Sequence, residues 1–133
     1  MNKINIKLSN LYVPISIGEL ADKITILQIK KEIMTGKQLN NVSKELELLL
    51  SIIRENDIEI ESNIFTRLKE INLSLWKIED QIRLKEGNNE FDEVFIELAR
   101  SVYINNDKRA LIKKEINMKY NSALIEEKYY KKY

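Results

Sequence analysis

The sequence predicts an all-α protein: a helical bundle, or a long antiparallel helical hairpin with smaller C-terminal helices and a short N-terminal β-strand, assembled as a dimer. Three observations predict it. Apolar residues from Ile64 to Ile82 recur at steps of four and three, the signature of a helix with one buried stripe. One proline and three glycines in 133 residues leave little to interrupt long elements. Ser16-Ile17-Gly18-Glu19 has the form of a capping box, which marks a helix start. No repeat, linker or low-complexity tract divides the chain, so residues 1–133 read as one helical domain.

The elements follow in order. Ile4, Ile6 and Leu8 alternate with Lys3, Asn5 and Lys7, the period of two expected of a strand. Tyr12 to Ile15 is a second strand candidate, confined to an edge by Pro14. A first helix runs from about Ile17 to Thr35 and ends at Gly36. It carries one apolar stripe of Ile17, Leu20, Ile24 and Leu27 and another of Ile26, Ile29 and Ile33. A helix apolar on two sides is central, or covered by another subunit. The second helix runs from about Leu39 to Arg54, on Leu39, Val42, Leu46, Leu49 and Ile53.

The third helix, from about Asn63 to Lys85, has the strongest periodicity. Ile64, Leu68, Ile71, Leu75, Ile78 and Ile82 make nearly three heptads of coiled-coil seam, which suggests self-association. Gly87-Asn88-Asn89 breaks it. A fourth helix runs from about Phe91 to Ile104. Asn105-Asn106-Asp107 then interrupts the chain and caps a fifth helix, from about Lys108 to Tyr120. Ser122 is placed to cap a last short helix through Tyr130.

Composition excludes several chemistries. Without cysteine there is no disulfide or thiolate metal site, and without histidine the usual base near neutral pH and the commonest metal ligand are missing. There is no Gly-rich phosphate loop, no Ser or Thr nucleophile motif and no Glu-x-x-His pair. The expectation is no metal and no cofactor. Lys and Arg number 22 against 21 Asp and Glu, a balance that argues against a dedicated nucleic-acid binder. No apolar run is long enough to span a bilayer, and the N-terminus lacks a signal-peptide pattern, so the cytoplasm is the expected location.

Four polar constellations remain. Glu19, Asp22 and Lys23 open the first helix, where acids are expected beside the positive end of the helix dipole. Trp76, Asp80 and Arg83 share a stripe of the third helix, and Glu79 precedes Arg83 by four residues, a surface ion pair or a pocket walled by the indole. Arg100 is turned sideways from the core positions Leu98 and Val102 and is in reach of carboxylates on the third helix; Asp107, Arg109 and Lys113 follow. The tail, Glu126 to Tyr133, interleaves tyrosines with lysines, a composition that suits base stacking but more often docks on its own protein or frays.

Taken together, the segments VPISIGELADKITILQIK (13–30), LWKIEDQIR (75–83), FIELARSVY (95–103), NDKRA (106–110) and SALIEEKYY (122–130) resemble a small bacterial family of unknown function, over nearly the whole chain. The family's recurring polar positions fall on Glu19, Asp22, Lys23, Glu79, Asp80, Arg83, Arg100, Asp107, Arg109 and Lys113. The chain departs from the family pattern at Asn121 and Tyr129, where Gly and Ser are more usual. The resemblance implies gene settings of surface polysaccharide and glycosyl transfer; it brings no activity and no catalytic residues.

The function expected is a non-enzymatic helical module that self-associates and binds a protein partner. The alternative is an anionic-metabolite or nucleotide-sugar binder, or a histidine-free helical enzyme. It would use Lys23, Trp76, Glu79, Asp80, Arg83, Arg100, Asp107, Arg109 and Lys113 as its binding set.

Overall fold

The computed structural model describes residues 10–133. Four helices make up its regular structure: α1 (Ile17–Ile33), α2 (Gly36–Glu55), α3 (Ser62–Gly87) and α4 (Glu93–Lys119). The predicted strand over Lys3–Leu8 lies outside the described residues. The second candidate, Tyr12–Ile15, is not a strand: among the described residues there is none for it to pair with, and Tyr12 and Val13 stand exposed.

α1 is the central element. It touches all three other helices; of the predicted second stripe Ile29 is buried, Ile26 half-buried and Ile33 exposed. Leu20, Ile24 and Leu27 pack with Val42 and Leu46 of α2. Ala21, on the opposite side, packs with Ile64 and Leu68 of α3 and with Ile112 and Ile116 of α4. Its first turn lies on α4, where the Gly18 amide donates to Asn117 Oδ1 at 2.7 Å, and its end reaches α3, where Lys69 pairs with Glu32 at 3.3 Å. α1 therefore crosses the α3–α4 hairpin near the open end of that hairpin. Each fully buried Leu or Ile contributes roughly 1.5–3 kcal/mol, so this crossing is where the fold is held.

The ends of the elements differ from the sequence reading in instructive ways. α1 stops at Ile33, and Gly36, at φ +60°, opens α2 rather than closing α1. Asp57, Asn89 and Asn121 adopt the left-handed conformation at φ 51°, 54° and 54° after α2, α3 and α4. In each case the next amide reaches back to a carbonyl five residues earlier: Ile58 to Ile53, Glu90 to Lys85, Ser122 to Asn117, at 3.1, 2.9 and 2.9 Å. Asp and Asn thus do the closing work often given to glycine.

The predicted break at Asn105-Asn106-Asp107 does not occur, so the fourth and fifth predicted helices are one. The amides of this segment are accommodated inside the helix: Asn105 Nδ2 donates to the Ser101 carbonyl at 2.8 Å, and Asn106 Oδ1 accepts from Arg109 at 3.4 Å. The last helix predicted after Ser122 is also absent. Ser122 Oγ accepts from the Ile17 amide at 3.0 Å and so caps α1 instead, while the tail runs on without regular structure.

The distal half of the α3–α4 hairpin projects beyond the crossing as an arm of two antiparallel helices. From Leu73 to Leu111 no residue is buried. The seam residues Leu75, Ile78, Ile82, Phe95, Leu98 and Val102 are only half-buried. Leu84, Phe91, Val94 and Ile96 are exposed. No helix among the described residues is long and apolar enough to cross a membrane.

Candidate functional site

The first turn of α1 leaves four amides without partners inside the helix. Three of them, those of Ile17, Gly18 and Glu19, find side-chain acceptors. Ser16 supplies its hydroxyl to Glu19 at 3.1 Å and its carbonyl to Leu20 at 3.0 Å, while Asn117 and Ser122 reach in for Gly18 and Ile17. Only half of the expected capping box forms, because the Glu19 carboxylate turns away to a cation on α4. Gly18 is required here: a Cβ would overlap the Lys113 carbonyl oxygen and press on Asn117.

One turn further along α1, Asp22 is 1 % exposed and sits where α1, α3 and α4 meet. Arg109 reaches it in a bidentate fork, Nε to Oδ1 at 2.9 Å and Nη2 to Oδ2. Asn72 Nδ2 donates to Asp22 Oδ1 at 2.9 Å and to Thr25 Oγ1 at 2.8 Å, and Thr25 in turn donates to the Asp22 carbonyl at 2.8 Å. Lys113, itself buried, donates to Glu19 at 2.6 Å and to Glu126 of the tail at 3.2 Å. Every buried side-chain donor and acceptor among the described residues has a partner. A network this complete fixes the three helices and the tail in one arrangement.

The electrostatics agree. Burial pushes the Asp22 carboxyl up, but the hydrogen bonds from Arg109 and Asn72 and the charges of Arg109 and Lys113 outweigh it and hold Asp22 below its ordinary value. The hydrogen bond to Asp22 holds Arg109 above its usual range. Lys113 loses affinity for its proton through burial, yet Glu19, Asp22 and Glu126 more than restore it. Glu126 is depressed, its own burial being outweighed by Lys113 and Lys128.

The nine predicted binding residues divide into separate places. Arg109 and Lys113 join the network. Asp107 lies beside it and accepts from the Tyr133 hydroxyl at 2.7 Å. Lys23 is exposed on α1. Trp76, Glu79, Asp80, Arg83 and Arg100 are on the arm. Arg83 pairs with Glu79 at 3.1 Å and Arg100 with Glu97 at 3.0 Å, each within its own helix and solvated, so the expected meeting of Arg100 with acids of α3 does not form. Trp76 is half-buried beside the seam.

Sequence reasoning assigned Asp22 and Glu19 to the helix dipole, gave Ser122 to a last helix and Glu126 to the tail, and passed over Asn72, Thr25 and Asn117. The signal for Asn72 was there: it follows Leu68 by four residues, so it faces inward in an apolar stripe. Between α4 and the tail a groove of about 1040 Å³ opens, with Arg109 and Lys113 in its wall. Among the described residues no group of three or more acids is placed to hold a metal ion.

Residues 11–133 match the model of a family described as "Family of unknown function (DUF6165)". The chain belongs to the DUF6165 family. No curated protein and no solved structure matches it. The match spans all four helices and the tail, so the network around Asp22 and the groove beside it both fall inside the DUF6165 region.

Proposed function

We propose that the chain is a non-enzymatic helical module that self-associates through its arm and docks a protein partner. One observation carries this reading: a heptad seam runs out along α3 and α4 from Leu73 to Leu111 without burying one residue. An antiparallel helix pair covers each seam residue from one side only. A second pair laid against it makes a four-helix bundle and covers the other side. Val94, exposed one turn before Leu98 on α4, flanks the same apolar seam. A two-fold dimer is the simplest closed arrangement that supplies such a pair. The buried polar network is fully satisfied, and supports a structural rather than a catalytic use of its charges. The gene settings that go with the family resemblance point to a glycosyltransferase, or another component of surface-polysaccharide synthesis, as the partner.

Light scattering over a wide concentration range tests the reading. A mass of twice the 15.7 kDa chain is expected, falling to one chain in the Val94→Lys variant. Val94 is exposed, so the substitution leaves the fold intact. A monomer at every concentration, with no partner retained on an immobilised wild-type chain and lost on the variant, would overturn it.

A further inference from the structure

The C-terminal segment stands over the second half of α4 and is fixed to it at two points. Glu126 meets Lys113 at 3.2 Å, and the Tyr133 hydroxyl donates to Asp107 at 2.7 Å while its ring lies edge-on to Tyr103 at 4.8 Å. On α4 the two anchors, Lys113 and Asp107, are about 9 Å apart at the helical rise. The tail from Glu126 to Tyr133 can reach about 23 Å when extended. It is longer than the gap between its anchors, which leaves slack in the segment. The groove of about 1040 Å³ lies between this segment and α4.

Six cations and three carboxylates line this space, and Asp22 and Glu19 neutralise two of the cations from behind. Arg109, Lys113 and Lys128 are engaged with acids of the fold, but Lys114, Lys131 and Lys132 form no ion pair within 4.0 Å among the described residues. Tyr130, on the segment between the lysines, is 72 % exposed. The three lysines left without an ion pair, Lys114, Lys131 and Lys132, are the cations available to a nucleoside diphosphate, which carries about −3 near neutral pH. The volume suits a molecule of that size. A tyrosine offers the face on which its base stacks.

We propose that the groove binds a nucleoside diphosphate, with the diphosphate on Lys114, Lys131 and Lys132 and the base against Tyr130. The inference is independent of self-association, since none of these side chains belongs to the seam of the arm.

Titration calorimetry of the full chain with UDP and with ADP at low salt tests it. Saturable binding is expected, weakened about a hundredfold in Lys131→Ala/Lys132→Ala, each lost phosphate contact being worth about tenfold, or roughly 1.4 kcal/mol. Tyr130→Ala is expected to weaken binding less, and uridine or inorganic phosphate alone to bind more weakly than UDP. All three substituted side chains are outside the buried network, and an unchanged melting curve confirms the fold. No binding of either nucleotide at millimolar concentration overturns the proposal. So does equal binding by the double variant, or binding of a single-stranded oligonucleotide by a chain that ignores UDP.

Discussion

Asp22 concentrates the energetics of this chain in one carboxylate. Removing its charge leaves Arg109 half-buried and Lys113 buried with less opposing charge, and breaking such a pair costs about 3–5 kcal/mol when a partner is lost outright. Asp22→Asn keeps the shape and some hydrogen bonding, so a loss near the lower figure is expected in urea unfolding. The acid limb gives an independent check. Asp22 and Glu126 are held below their ordinary values of 3.8 and 4.5, so the stability they lend is complete above those values and is lost as pH falls through their depressed folded ones. Lys113 works in the opposite direction: raised above 10.5, it lends stability below that pH and loses it as pH rises through its folded value. Asp22→Asn should flatten the acid limb of the melting temperature and leave the alkaline limb largely in place. Gly18→Ala should cost about 1–3 kcal/mol, because the added methyl overlaps the Lys113 backbone carbonyl, which cannot give way as a flexible side chain would. At this scale the site was half legible. Arg109 and Lys113 stand out as cations at helical spacing. Their carboxylate partners hid among acids that every helix start is expected to have, and Asn72 hid inside an apolar stripe.

Among the elements, α3 was the most readable and α4 the least. The Ile64–Ile82 seam needs no tertiary information, because its period alone defines a face. The Asn-Asn-Asp run in α4 looked like a break because amide side chains compete for backbone groups. Here that competition is turned inward: Asn105 bonds the carbonyl of Ser101, one turn back, without opening the helix. Local pattern could not foresee this, nor that Ser122 serves the start of a helix 105 residues away. α2 docks through few buried side chains, Val42 and Leu46, so Leu46→Ala is expected to cost about 2–5 kcal/mol. The arm has no buried residue, and its amides should exchange by a partial opening well below the global unfolding free energy, while those of α1 exchange only globally. Hydrogen exchange read by mass spectrometry distinguishes the two, and protection of the arm that rises with protein concentration would place the contact between copies there.

For the molecule as a whole, the structure divides labour. The crossing of α1 over the α3–α4 hairpin holds the fold; the arm and the groove face outward with chemistry left over, apolar in one case and cationic in the other. The two surfaces predict opposite responses to salt. Added salt should leave association through the arm unchanged or strengthened and should weaken anion binding in the groove.

The partners of α1 also set an order of assembly. Its first amides are met by Asn117 and Ser122, and Asp22 by Arg109, groups made 87 to 105 residues later in the chain. During synthesis α2 can close over one side of α1 soon after it is made, while the side that meets α4 stays uncovered until that helix follows. A chain cut after Tyr120 should melt earlier and aggregate more readily than the intact one, a vulnerability that belongs to translation and not to the finished protein.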